Sequence, residues 1–160
     1  MRRVFLLLQY AYTSMALVQN KKAYFDYEIL EELEAGIKLQ GFEVKSLKKG
    51  QGSLAGAYVI IRGDEAFLVG AHVPPYQPGN TPKDYDPLRP RKLLLNKKEI
   101  VTLAEFEKQR GLTMMPLSMY NKNGKIKVSV GIGRGKKKYD KRETIKRRDV
   151  EREIGRTLKG

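Results

Sequence analysis

The chain has no cysteine and a single histidine, His72. The first absence excludes disulfides, thiolate zinc sites and cysteine nucleophiles, and fits a reducing compartment. The second leaves any Ser-His-Asp triad dependent on His72, which stands just before Pro74-Pro75 and reads as a packing or hydrogen-bonding residue. No apolar run approaches the length that spans a bilayer. Arg2, Arg3 and Val4 to Leu8 imitate a signal peptide, but Gln9 breaks the run too early for an export segment. Phosphate-loop patterns are missing too: the glycines between Gly131 and Lys136 satisfy neither G-x-x-x-x-G-K-[ST] nor G-x-G-x-x-G. Asp84 and Asp86 read as turn chemistry beside Pro87 rather than as a Mg²⁺ site. The chain is expected not to be an enzyme, and it implies no metal ion and no cofactor.

Positive charge is in excess. The 160 residues carry a net +14 and a sequence pI near 9.9, which points to nucleic acid or an anionic membrane as partner. From Arg134 onward twelve Lys/Arg face five Asp/Glu, so this stretch holds half of the excess. Its apolar stripe is Val150, Ile154 and Leu158 at helical spacing, with Arg148, Arg152 and Arg156 as a ridge on another face. Three apolar residues do not offset the ordering entropy of such a segment, so the tail is expected to be disordered alone and helical on a polyanion. They are also too few to insert into a membrane.

Three parts are expected: an N-terminal extension over 1–19, disordered or preceding a true start at Met15; a body over 20–133; and the basic tail over 134–160. In the body, Tyr24 to Leu39 fits two periods. Ile29, Leu33 and Ile37 are spaced as on a helix, whereas Phe25, Tyr27 and Ile29 alternate as on a strand. With Gly36 inside it, the stretch reads as an extended segment that bends there. A short helix is predicted between Gly41 and Gly50, then strands over Ala57 to Arg62 and Glu65 to Val69 joined by Gly63-Asp64. Pro74 to Pro90 holds six of the seven prolines and, with the residues after it, supplies Tyr76, Tyr85, Arg89, Arg91 and Lys92. Aromatic and basic side chains so mixed suit stacking on bases and pairing with phosphates, or else a rigid wrapping loop.

Leu93 to Leu95 reads as buried, and Asn96 with Glu99 forms a capping box for a helix whose inner face is Ile100, Leu103 and Phe106. Thr113 to Lys122 and Lys125 to Gly133 flank Asn123-Gly124, a type I′ hairpin signal. In its second strand, Ile126, Val128, Val130 and Ile132 face a core, and Lys125, Lys127 and Ser129 face water. The fold class expected is mainly β, a small closed barrel with inserted helices.

Three motifs in order, from Glu34 to Leu47, from Asp86 to Asn96 and from Gly135 to Asp149, resemble the SsrA-binding protein family, also called small protein B. The similarity runs from about Asn20 to the C-terminus. It implies an oligonucleotide-binding-type β-barrel that binds the tRNA-like domain of transfer-messenger RNA in the cytoplasm and brings it to stalled ribosomes. By the resemblance, Glu34, Leu94 and Asn96 match RNA-binding positions of the body, with Arg89, Arg91 and Lys92 as further basic candidates. Glu34 reads equally as an ion pair within the body, and Asn96 as a helix cap. The tail residues Lys136, Lys137, Asp140, Lys141 and Arg142, with Lys146, Arg147 and Arg148 after them, match a tail that enters the decoding centre and empty mRNA path. An i to i+4 pair, Glu143-Arg147, is expected to support that helix. Tyr24 and Phe25 depart from the family, which usually has basic residues or histidine there. The alternative is a structural ribosomal-RNA binder, which would show no preference for a tRNA-like fold.

Overall fold

A computed structural model describes residues 16–159. The elements are β1 (Ala16–Gln19), α1 (Lys21–Asp26), β2 (Tyr27–Ile37), α2 (Gly41–Lys48), β3 (Tyr58–Arg62), β4 (Glu65–Val69), β5 (Arg91–Leu94), α3 (Lys97–Lys108), β6 (Leu112–Lys122), β7 (Lys125–Gly135) and α4 (Lys138–Lys159). The seven strands form one antiparallel sheet in the order β1-β6-β7-β2-β5-β4-β3. This is the mainly β class expected, but the sheet is open where a closed barrel was predicted. β3 approaches β6 without a ladder between them. At the edge of β3 that closure would hide, the Ile61 N–H donates to Glu107 of α3 at 3.3 Å.

The β6–β7 hairpin follows from its turn. Asn123 and Gly124 have φ of 52° and 78°, the pair of positive values that a type I′ turn requires. The ladder slips once, at Pro116, where a residue without an N–H costs no ladder bond.

One face of the sheet carries the core. Ala35, Ile37, Val59, Leu68, Leu93, Met119, Val128 and Val130 meet Leu47 of α2 and Leu103 of α3, and both of these leucines are buried. A leucine so removed from water contributes about 1.5–3 kcal/mol. The opposite face is not wholly wet, as the alternation in β7 had predicted. Ala23 of α1 packs there on Met115 and Leu117, flanked by Tyr24, Tyr27 and Ile29, and Ser129 is buried and bonded to Glu32.

The stretch from Tyr24 divides differently from the sequence reading. Asn20 caps α1 by accepting from the Ala23 N–H at 3.1 Å, so Tyr24 and Phe25 are helical and the strand starts at Tyr27. A spacing of four satisfies both periods, which is why Ile29, Leu33 and Ile37 suggested a helix. A bulge between Ile29 and Glu31 sends Ile29 to the second cluster and leaves Leu33 and Ile37 at the main core. The bend at Gly36 does not occur, because Gly36 pairs with Lys127 on one side and Leu94 on the other.

At the N-terminus, Ala16–Gln19 is a strand paired with β6, so the predicted extension over 1–19 is structured at its end. The start at Met15 and the signal-like run lie outside the described residues. The tail is a 22-residue helix, Lys138–Lys159, over the stretch where a helix was expected on a polyanion.

Candidate nucleic-acid interface

β2 places a first candidate site on the outer face of the sheet. Glu34 stands two residues before Gly36, and Gly36 faces Leu94 of β5. Leu94 lies so close over Gly36 that a Cβ there would sit 3.0 Å from the Leu94 Cβ. Glycine therefore lets the leucine lie flat across two strands, where it stays 54% exposed. The predicted burial of Leu93 to Leu95 holds for Leu93 and fails for Leu94, whose side chain takes the other face of the strand.

Glu34 accepts from the Tyr120 hydroxyl, and Lys122 Nζ lies 3.1 Å from both of its oxygens. Burial alone would raise this carboxyl's pKa, but the hydrogen bonds from Tyr120 and Lys122 and the charges of Lys122 and Lys127 outweigh it and hold the pKa below the usual value. The ion pair named as the alternative for Glu34 is thus present, at a partly exposed position. An oriented, ionised carboxylate is also an acceptor for base amino groups and 2′-hydroxyls.

Asn96 caps α3: its Oδ1 accepts from the Glu99 N–H, and Glu99 accepts from the Asn96 N–H, both at 2.9 Å. The same outer face continues through Lys92, Phe67 and Tyr58, of which Tyr58 is exposed. Sequence reading missed Lys122 and Tyr58 on this surface and the buried Tyr120 that supports Glu34. The Asn123-Gly124 turn was the signal available, since it fixes Tyr120 opposite Lys127.

Arg91 and Arg89 belong elsewhere. Arg91 is completely buried, so its assignment as an RNA contact is corrected. It donates to Glu43 Oε1 at 2.9 Å, to the carbonyls of Ala71, Arg89 and Pro87 at 2.8, 3.2 and 2.9 Å, and to Tyr85 Oη at 3.1 Å. Arg89 grips both Glu43 oxygens, at 2.9 and 2.6 Å, and keeps only 27% of its side chain exposed. Burial pushes the Glu43 carboxyl up, yet hydrogen bonds from Arg89 and the Gln40 N–H and the Arg91 charge bring it below its ordinary value. Tyr85 closes the cluster, with Phe42 against it edge to face.

The proline-rich loop is therefore the rigid wrapping loop. Lys92 remains on the surface, paired with Glu65. Asp86 accepts from the Leu88 N–H at 2.9 Å, as a turn former does. His72 is exposed, and its backbone, not its ring, is what bridges to Ser53.

The second candidate site is the tail. It follows β7, whose Gly135 pairs with Tyr27 at the other end of β2 from Glu34. Tyr27 and Glu34 are seven positions apart along the strand, roughly 23 Å at 3.3 Å per residue. α4 extends about 33 Å at 1.5 Å per residue and buries none of its side chains. Lys137, Asp140, Arg142, Lys146, Arg147 and Arg148 are exposed, and so are Val150, Ile154 and Leu158. Arg147 pairs with Glu151 at 3.9 Å in place of Glu143. Lys136 and Lys141 instead turn towards α1.

The two surfaces thus sit at opposite ends of one strand, in a stretch that a family model described as SmpB protein matches over residues 17–160. The chain belongs to the SmpB family. An SsrA-binding protein of Latilactobacillus sakei is 49% identical over 143 residues, covering 89% of this chain and 91% of the relative. One from Cupriavidus pinatubonensis is 47% identical over 146 residues, with 91% and 97% covered, and one from Ligilactobacillus salivarius is 52% identical over 144 residues, with 90% and 92% covered. Among solved structures, a chain from "tmRNA-SmpB: a journey to the center of the bacterial ribosome" aligns with a TM-score of 0.64 at 41% identity, covering 79% of this chain and 92% of that one. Among the described residues no helix is long and apolar enough to cross a membrane.

Proposed function

We propose that this SmpB-family chain is an RNA-binding adaptor, not an enzyme, that acts in trans-translation in the cytoplasm. Its body binds the tRNA-like domain of transfer-messenger RNA, and its tail enters the decoding centre and empty mRNA path of a stalled ribosome. The observation that carries this reading is the placing of an RNA-suited outer face and a basic helix at opposite ends of β2, so that one rigid strand spans two RNA partners. Glu34, Leu94 and Asn96, with Lys92 beside them, are the body contacts. Lys137, Asp140, Arg142, Lys146 and Arg147 are the tail contacts. The open sheet, with β3 drawn towards β6, serves as an oligonucleotide-binding-type barrel. Since α4 buries nothing, its helix gains stability on a channel of phosphates.

A titration of the full chain against the tRNA-like domain at fixed salt, with elongator tRNA and a plain RNA duplex as competitors, tests this. Tight binding that neither competitor displaces is expected. Equal displacement by both would reduce the body to a general basic RNA binder of the ribosomal type.

A further inference from the structure

Gly36 is the centre of the outer face. It pairs with Leu94 of β5 on one side and with Lys127 of β7 on the other, and Glu34, two residues before it, presents its side chain on the same face. Leu94 lies over the glycine as an exposed apolar floor. With neighbouring strands about 4.8 Å apart, the backbones of Leu94 and Lys127 stand roughly 10 Å from each other, and Glu34 borders the floor between them.

The hydrogen bonds of Glu34 decide what this place can accept. An ionised carboxylate has about four lone-pair positions. Oε2 uses two of them, on the Tyr120 hydroxyl and on Lys122 Nζ, and Oε1 uses one, on Lys122 Nζ. A single acceptor position is left, on Oε1. Recognition of guanine through its N1–H and N2–H₂ needs a free position on each oxygen, which Glu34 does not have. One donor fits.

Lys127 selects among single donors. Its ammonium has no hydrogen bond or ion pair among the described residues, yet its charge is close enough to act on the Glu34 carboxylate. A spare cation beside one spare acceptor matches two groups that sit on adjacent ring carbons of a ribonucleotide whatever its base, the 2′-hydroxyl and the 3′-phosphate. The amino group of adenine or cytosine has no anion in that fixed relation to it.

We propose that Glu34 and Lys127 together read one ribose-phosphate unit of the RNA, the 2′-hydroxyl donating to Glu34 Oε1 and the 3′-phosphate meeting Lys127, with the sugar or base lying on Leu94. Tyr120 and Lys122 are positioning residues: they hold the carboxylate and occupy the acceptor positions that a base edge would need. The site therefore distinguishes RNA from DNA without reading sequence. It rests on the RNA-binding role of the body proposed above and names the group that the outer face recognises.

The test is a binding titration of the full chain against the tRNA-like domain, in which one nucleotide at a time carries a 2′-hydrogen or a 2′-O-methyl group in place of the hydroxyl. One position is expected where either change weakens binding by about tenfold. In Glu34→Ala the same two changes should cost nothing further, because the acceptor is gone. Tyr120→Phe should reduce the penalty to about threefold. Each penalty is a ratio of two affinities of one protein, so any loss of folded protein cancels. Lys127→Ala should lower the slope of log affinity against log salt by about 1. Tight binding of the unmodified RNA with no such position, a penalty that persists in Glu34→Ala, or an unchanged salt slope in Lys127→Ala would overturn the inference alone. So would a penalty, lost in Glu34→Ala, that follows exchange of a base and not the 2′ change. Failure of the unmodified RNA to bind tightly would overturn the proposed function and this inference with it.

Discussion

Arg91 and Glu43, 48 positions apart in the sequence, both have fully buried side chains and meet at 2.9 Å. Glu43 belongs to the first turn of α2 and Arg91 opens β5, so this one pair fastens a helix and a strand to the proline-rich loop between Val73 and Arg91.

Removing one partner leaves the other charged and buried. Arg91→Ala and Glu43→Ala are each expected to cost about 3–5 kcal/mol, measured by urea denaturation. Arg89→Ala should cost less, because its side chain is partly exposed. Any loss of RNA binding by Arg91→Ala should disappear when the folded fraction is corrected for. A loss that persists in fully folded protein would return Arg91 to the interface.

Acid should loosen the same cluster. Glu43 and Glu34 both titrate below their ordinary value of 4.5 in the folded chain, so each contributes stability that is complete above that pH. That stability is lost as the pH falls from 4.5 through the depressed values. A melting series from pH 7 to pH 2 should show the decline, and Glu43→Gln should flatten it more than Glu34→Gln, whose carboxylate is partly solvated. Equal acid slopes in wild type and Glu43→Gln would sink this account.

Leu94 and Asn96 separate binding from folding. Leu94 is 54% exposed, so Leu94→Ala should change stability by less than about 1 kcal/mol while weakening RNA binding. Asn96→Ala removes the α3 cap and should cost about 1 kcal/mol whatever its effect on RNA. Paired denaturation and binding curves check both; unaltered RNA affinity in Leu94→Ala would take the outer face out of the interface.

Lys137→Glu combined with Arg142→Glu should abolish rescue of stalled ribosomes in a reconstituted translation assay and spare binding to the tRNA-like domain. Ribosome binding by wild type should fall steeply with salt, and the double variant's log-log slope should be shallower by about 1.5, as expected for two lost phosphate contacts. Loss of both activities together would mean that body and tail do not work as separate surfaces.

What was legible in the sequence was local. The Asn96-Glu99 box, the Asn123-Gly124 turn and the Gly63-Asp64 hairpin each depend on residues within a few positions, and each appears where it was read. The helix over Tyr24 and Phe25 was hidden, because its cap, Asn20, is held by carbonyls of Leu54 and Pro116 far along the chain. Arg91 looked like a phosphate contact for the same reason: its carboxylate partner lies in another element. Glu34 was found by family likeness, while Tyr120 and Lys122, which the Asn123-Gly124 turn sets opposite β7, reach it only through the pairing of β2 with β7, which that turn does not encode.

The double pairing of β2, with β7 along most of its length and β5 at its far end, makes the strand a gauge as well as a scaffold. Away from the bulge after Ile29, adding one residue would reverse every side chain beyond it, so the regular strand lengthens or shortens by two at a time, in steps of about 7 Å. The spacing between its two working ends is therefore quantised, and a lineage cannot retune the reach between its RNA partners by small increments. Such adjustment has to come from α4, where each added residue moves the tip by about 1.5 Å and turns it by about 100°.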